Sequence, residues 1–315
     1  MLNKIKSRLI LKNVFDCMRK RMKLKILRHN KKIQNKLNIK LKDFQDYKTL
    51  KELNQKFGFD IDDMDTNKID LSNKVKGNEI LEYINDIEFQ KLKELDLQNN
   101  LISDIKVFEN SKMANLEILN LMGNKISDIN ILEKVTLKNL KKLDSSFNEI
   151  SNINILAKVN FSRLKELYLY NNEISDIKIL GNVNFDRLEV LNLGSNKISN
   201  INILANVNFT ELKKLYLYNN QISDINVLEK VKFEKLEVLN FCYNKISDIN
   251  ILANVNFKGL KKLDLFHNEI SDIKVLDKIN FKELEVLNIG ENDIDKEEFS
   301  STLENLKMHL NLLLY

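Results

Sequence analysis

The sequence predicts an α/β solenoid, a stack of similar units each built from a short strand, a turn and a helical turn. Three observations carry that prediction. Asparagine returns every 24 residues without an insertion, as Asn100, Asn124, Asn148, Asn172, Asn196, Asn220, Asn244, Asn268 and Asn292. A fixed period in this range marks a repeat architecture. The apolar positions keep the same step: Leu164, Leu167 and Leu169 precede Asn172, and Ile174, Ile177, Leu180, Val183 and Phe185 follow it. Finally, Leu167 and Leu169 alternate with Glu166, Tyr168 and Tyr170, the pattern of a strand with one face buried.

Each part of the unit has a physical reason. One repeat cannot bury its own inner face, so the strands stack and each unit covers its neighbours. The asparagine stands where the chain leaves the strand, and its amide can satisfy backbone groups that would otherwise be buried unpaired. After the turn, Ser-Asp or Ser-Asn recurs (Ser175-Asp176, Ser199-Asn200, Ser223-Asp224), suited to capping a short helical turn on the outer side. That role accounts for the pair without a metal or a phosphate.

Written out, the unit is LxxLxLxxNxIxxIxxLxxVxFxx, and over residues 92–295 it resembles a leucine-rich repeat. The likeness is to the short type of bacterial internalins and of phosphatase regulatory subunits. It implies a curved solenoid with parallel strands on the concave face, short helical turns outside and the asparagines stacked in a ladder.

Around the repeats the chain falls into four further segments. Residues 1–41 are basic and read as two or three short helices, with Leu11, Val14 or Phe15, Met18 and Met22, then Ile26, Ile33 and Leu37, at helical spacing. Ile10, Val14, Phe15, Met18, Leu24 and Leu27 follow an order of apolar residues that resembles an F-box. That module links a substrate-binding repeat domain to a ubiquitin ligase through an adaptor; the Leu-Pro start and late Trp common in it are absent here. The same residues also fit a helical cap on the solenoid, or a basic amphipathic contact with a membrane or nucleic acid. Residues 42–75 read as a helical and loop connection. Within it Asp63, Asp65 and Asn67 match the first ligand positions of a calcium loop, but Lys68 stands where glycine is required and Lys74 where the closing glutamate is required. Residues 76–91 read as an N-terminal cap or degenerate repeat, and 296–315 as a C-terminal cap whose HLNLLLY can add a last strand over the open edge.

Specificity in such a protein lies in the outward strand positions, because packing dictates the inward ones. Tyr168, Tyr170, Tyr216, Tyr218 and Phe266 stand there with Cys242, and Phe147, Tyr243 and His267 lie at the edge. Exposed aromatic residues on a sheet face point to contact with a protein or peptide. The tyrosine pairs flank Val190, Asn192 and Gly194, a lower strip open to a partner's side chain. A second reading is that the repeats copy one another and the tyrosines come with them. Charges on the face are mixed, Lys142, Lys214 and Lys262 against Asp144, Glu166 and Asp264, whereas a nucleic-acid backbone calls for one sign.

Composition sets the outer limits. In 315 residues, 43% hydrophobic, there is no proline and only seven glycines, so no flexible linker of the usual kind is visible. The net charge of +5 is uneven: residues 1–48 hold 16 Lys and Arg against three Asp, a surplus of 13 that leaves the remainder at −8. Two distant cysteines, Cys17 and Cys242, suit a reducing compartment. The N-terminal residues lack the form of a secretory signal and no run has the length of a membrane span, so the expected location is the cytoplasm or nucleus. His29, His267 and His309 are the only histidines, none near a plausible nucleophile in sequence, and no phosphate loop, zinc spacing or dinucleotide fingerprint occurs. The expectation is a monomeric, non-catalytic scaffold without cofactor or metal.

Overall fold

The computed structural model describes residues 31–37, 48–52, 54–56, 66–73, 77–86, 91–111, 113–279, 281–295 and 312–314. The chain forms two compact units, 1–60 and 61–315. In the first, the helix Lys31–Leu37 buries Ile33, and Leu50 is buried among the helical residues 48–52. The six F-box-like positions, Ile10, Val14, Phe15, Met18, Leu24 and Leu27, lie outside the described residues.

The second unit holds an 11-stranded sheet in which the strands follow one another in chain order. They are β1 (Lys68–Asp70), β2 (Glu94–Asp96), β3 (Ile118–Asn120), β4 (Lys142–Asp144), β5 (Glu166–Tyr168), β6 (Val190–Asn192), β7 (Lys214–Tyr216), β8 (Val238–Asn240), β9 (Lys262–Asp264), β10 (Val286–Asn288) and β11 (Leu312–Leu314). Every pairing is parallel. Glu166 lies opposite Val190 and Val190 opposite Lys214, a step of one repeat, so equivalent residues form straight columns across the sheet. The columns of Leu164, Leu167, Ile174, Ile177, Leu180 and Phe185 are buried and make the core.

Two structures shape the turns: the asparagine ladder, which ties neighbouring repeats together, and a capped 3-10 turn within the repeat. The ladder asparagines act at the end of each strand. Asn196 Nδ2 donates to the carbonyls of Leu193, Gly194 and, one repeat back, Leu169, each at 3.0 Å. Its Oδ1 accepts the N–H of Ile174, also in the preceding repeat, at 3.0 Å. Asn124 and Asn292 make the corresponding bonds near either end of the repeats. On the outer side each of the eight repeats from Asn100 to Asn268 makes one 3-10 turn, from Lys106–Asn110 to Lys274–Lys278. Here the aspartate or asparagine caps, and the serine before it does not. Asp176 Oδ1 accepts the N–H of Lys178 at 2.9 Å and Asn200 Oδ1 that of Asn202 at 2.9 Å. The cap thus forms as an Asx turn at the residue before the N-cap, Asp176 ahead of Ile177 and Asn200 ahead of Ile201.

The ends depart from the repeat. Lys68 pairs with Glu94 and Val286 with Leu312, so the first and last steps are each 26 residues. In the first step an α-helix, Glu79–Asp86, replaces the 3-10 turn, buries Leu81 and Ile84, and packs on Lys106–Asn110. The sheet therefore starts at Lys68, inside the 42–75 segment read as a connection. Ile69 and Leu71 are buried as Leu95 and Leu97 are, but without the flanking consensus this short alternation is hard to see in sequence. The same strand occupies the position of the incomplete calcium loop.

One core position breaks the pattern. Where the other repeats bury Leu121, Leu169 or Leu193, β4 is followed by Ser145, which is buried with its hydroxyl unpaired among the described residues. The hydroxyl of the adjacent Ser146 is in the same state.

Candidate functional site

The outward face of the sheet carries four columns. The first contains Lys142, Glu166, Val190, Lys214 and Lys262; Lys142 Nζ lies 3.3 Å from Glu166 in the same column, and Lys262 Nζ lies 3.4 Å from Asp264 in the next. The second contains Asp144, Tyr168, Asn192, Tyr216 and Asp264, the third Ser146, Tyr170, Gly194, Tyr218, Cys242 and Phe266. The fourth is the position directly before each ladder asparagine, and its backbone is unusual.

At that position the chain turns through left-handed backbone in every repeat. Asn99, Gly123, Phe147, Asn171, Ser195, Asn219, Tyr243, His267 and Glu291 all have φ between 50° and 68°. Asparagine and glycine tolerate this region; for a bulky L-residue it costs about 1–2 kcal/mol. Phe147, Tyr243 and His267 nevertheless occupy it. Phe147 and Tyr243 remain 42% and 47% exposed, and the other large hydrophobic residue exposed among those described, Leu101, also stands at positive φ, 58°.

The structure gathers the candidate aromatics into two clusters and a lower pair. Phe147 meets Tyr170 edge to face, with ring centroids 4.9 Å apart. Tyr243 meets Phe266 in the same way at 5.4 Å and lies against His267 at 4.8 Å. These arrangements suit the ring quadrupoles and fix the exposed rings in place. Tyr168 and Tyr216 lie lower, separated by Asn192. The Tyr168 hydroxyl donates to Glu166 at 3.1 Å, and Lys142 Nζ sits 4.7 Å from its ring centroid. Burial, followed by the Glu166 charge, pushes the Tyr168 hydroxyl well above its ordinary range; burial and Asp144 raise Tyr170. These tyrosines stay neutral at any physiological pH, as donors and apolar surfaces.

The strip between the tyrosine pairs is filled at Asn192 and Gly194. A Cβ at Gly194 would lie 2.3 Å from the Tyr218 ring, so that ring lies across the glycine, and Asn192 and Gly194 are buried. No room remains there for a partner's side chain, contrary to the sequence expectation. Gly194 serves to admit Tyr218, whose hydroxyl is raised by burial against the opposing effect of a hydrogen bond with Asn192. Cys242 is half-buried, and burial followed by the Asp264 charge pushes its thiol up to about 11, which suppresses the reactive thiolate.

Sequence reasoning found the aromatic residues but missed the left-handed column. Its signal was present, since Asn99, Gly123, Asn171 and Asn219 are the residue types that backbone favours. Elsewhere, an open hollow of about 730 Å³ lies at the opposite, starting edge of the strands, where Lys93 and Glu117 pair across it at 3.0 Å. Among the described residues no group of three His, Cys, Asp or Glu is placed to hold a metal, and no helix is long and apolar enough to cross a membrane.

Comparison with known proteins agrees with this architecture. The family model described as leucine-rich repeats (2 copies) matches residues 90–134, 162–206, 186–230, 210–254 and 234–278. Among solved structures, a leucine-rich repeat protein of Leptospira interrogans is similar with a TM-score of 0.64 at 22% identity, over 78% of this chain and 59% of that one. The chain thus spans little more than half of that protein's length. An internalin C2 of Listeria monocytogenes is similar with a TM-score of 0.53 at 26% identity, over 70% of this chain and 90% of that one. A second Listeria monocytogenes internalin gives a TM-score of 0.50 at 25% identity, over 85% and 87% of the two chains. No curated protein matches the sequence.

Proposed function

The chain belongs to the leucine-rich repeat family, and on that premise we propose that it is a non-catalytic scaffold that binds a protein or peptide along the strand-end edge of its concave face. The observation that carries this reading is the placement of Phe147, Tyr243 and His267 on left-handed backbone. Strained, exposed aromatic residues are an expense that stability alone does not explain, and such outliers cluster at functional sites. The observation also bears on the alternative of simple copying. Phe147 and Tyr243 differ from the Asn or Gly that several other repeats carry at the same position, so duplication of a typical unit would not supply them. Tyr170, Tyr218 and Phe266 extend the surface, and Tyr168 and Tyr216 form its lower border.

The basic residues 1–41 are a separate element in this reading. Their F-box-like order of apolar residues supports an adaptor-binding role, with the repeats presenting a substrate to a ubiquitin ligase. A phosphatase-type regulatory scaffold would use the same concave face without that head. A cytoplasmic or nuclear location suits the two cysteines.

The test is affinity capture from lysate of the source cells on the full chain and on its Phe147→Asn/Tyr243→Asn variant, quantified by mass spectrometry. A partner retained by the wild type and lost by the variant is the expected result, and in hydrogen exchange it should protect the segments around Phe147 and Tyr243. Partners captured equally by both would sink the proposal. A third arm, Phe15→Ala/Leu24→Ala in the full chain, should release a ligase adaptor while leaving the strip-dependent partner bound.

A further inference from the structure

We infer that the occupant of this edge is an extended, positively charged peptide with two apolar anchors six residues apart, one of them next to a lysine or arginine. The inference rests on the concave-face reading above and adds the chemistry of the ligand. Phe147 follows β4 and Tyr243 follows β8, four strand intervals apart, or about 19 Å at the usual spacing. A chain laid across the strands in extended form rises about 3.3 Å per residue, so about six residues reach from one aromatic cluster to the other. The intervening edge positions, Asn171, Ser195 and Asn219, are small or polar. They leave the two clusters as the points where apolar side chains dock.

Charge on this edge is one-sided. Among the described residues, the three columns nearest the strand ends carry Asp70, Asp96, Asp144, Asp264 and Glu291 and no lysine or arginine. The exposed charges beyond the ladder asparagines nearly cancel: Lys125, Lys197 and Lys245 against Glu149, Glu173, Glu269 and Asp293. The two aspartates beside the clusters differ. Asp264 is buried and lies 3.4 Å from Lys262. Asp144 accepts the Ser146 N–H at 3.0 Å, but the cation beside it, Lys142, turns instead to Glu166. Asp144, beside Tyr170 and next to the Phe147 cluster, and the exposed Glu291, one strand past His267, are therefore the carboxylates left for a ligand cation. A cation held at Asp144 also meets the faces of aromatic rings, which favours it further.

The experiment is selection of random displayed dodecapeptides on the full chain, with the Phe147→Asn/Tyr243→Asn variant as counter-target. Asparagine is already the residue of this backbone position in other repeats, so the variant is expected to keep its fold, and circular dichroism of both chains checks this. The expected pool is basic, enriched in apolar pairs at i and i+6, and lost on the variant. Its consensus peptide should bind at least tenfold more weakly once its lysines and arginines are changed to glutamate or its anchors are moved to i and i+4. Asp144→Asn/Glu291→Gln should remove most of the charge preference while retaining the spacing preference. A pool that depends on the strip but is neutral or acidic, or shows no fixed spacing, overturns this inference and leaves the binding surface standing. A pool that does not distinguish wild type from variant overturns both.

Discussion

At the ladder position all nine repeats carry asparagine, whereas one residue earlier the same nine carry Asn, Gly, Phe, Asn, Ser, Asn, Tyr, His and Glu. The two positions are chain neighbours, yet they answer to different constraints. From Asn100 to Asn268 the ladder side chain is buried and links backbone groups of two neighbouring units, so its shape and its hydrogen bonds are both specified. The residue before it is restricted only in its backbone, which is left-handed throughout, while its side chain faces solvent. Where backbone alone is the constraint, asparagine or glycine is the cheap solution. Departures from it at Phe147, Tyr243 and His267 therefore carry information that departures elsewhere on the surface would not.

The largest expected effect lies on the enclosed side. Asn196→Ala removes the acceptor of the Ile174 N–H and a donor to three carbonyls. Leu169 O and Leu193 O retain bonds from Asn172 and Asn220, but the buried N–H has no replacement. A loss of about 3 kcal/mol is expected in urea unfolding, and a smaller loss for Asn292→Ala, whose side chain is only half-buried. Equal effects at the two sites would show that burial of the ladder does not set its value. Next comes Ser145→Leu, which restores the leucine column and removes an unpaired buried hydroxyl. It should stabilise the protein by about 2 kcal/mol by the same measurement.

How legible the molecule was in sequence follows the same division. Leu167, Asn172 and Ile174 recur because packing and hydrogen bonding demand them, so the repeat, the solenoid and the parallel strands could be read from period alone. The aromatics were legible as outward residues, since alternation assigns faces. Their grouping was not, because Tyr218 reaches across to Gly194 and Tyr243 to Phe266, and one-dimensional spacing does not give side-chain direction between strands. β1 was hidden because Ile69 and Leu71 carry the alternation without the surrounding consensus.

A smaller effect is expected at the variable position itself. Phe147→Asn/Tyr243→Asn relieves two bulky residues of left-handed backbone, worth about 1–2 kcal/mol each, and loses two edge-to-face ring contacts of about 0.5–1.5 kcal/mol each. The two effects bracket a net change between a loss of about 1 kcal/mol and a gain of about 3 kcal/mol, so the double variant should unfold near the wild-type urea midpoint or above it. A clear loss of stability would mean that the rings serve packing, and the contrast with the ladder would collapse.

The smallest effect tests the floor between the clusters. Cys242 precedes Tyr243, and its thiol is pushed from an ordinary 9.0 to about 11 by burial and then by Asp264. A raised folded value favours the neutral thiol, so its contribution to stability is full below pH 9 and is lost as the pH rises through about 11. The thiolate is the form that reacts, and two units separate folded from unfolded chain. Alkylation of the Cys242 peptide by iodoacetamide at pH 8 should therefore run about 100-fold slower in the native protein than in urea. The native rate should reach half its plateau only near pH 11. A native rate close to that in urea would mean that the sheet floor around Tyr218 and Phe266 is open to water, and the aromatic clusters would then lack the rigid base that a preformed binding edge requires.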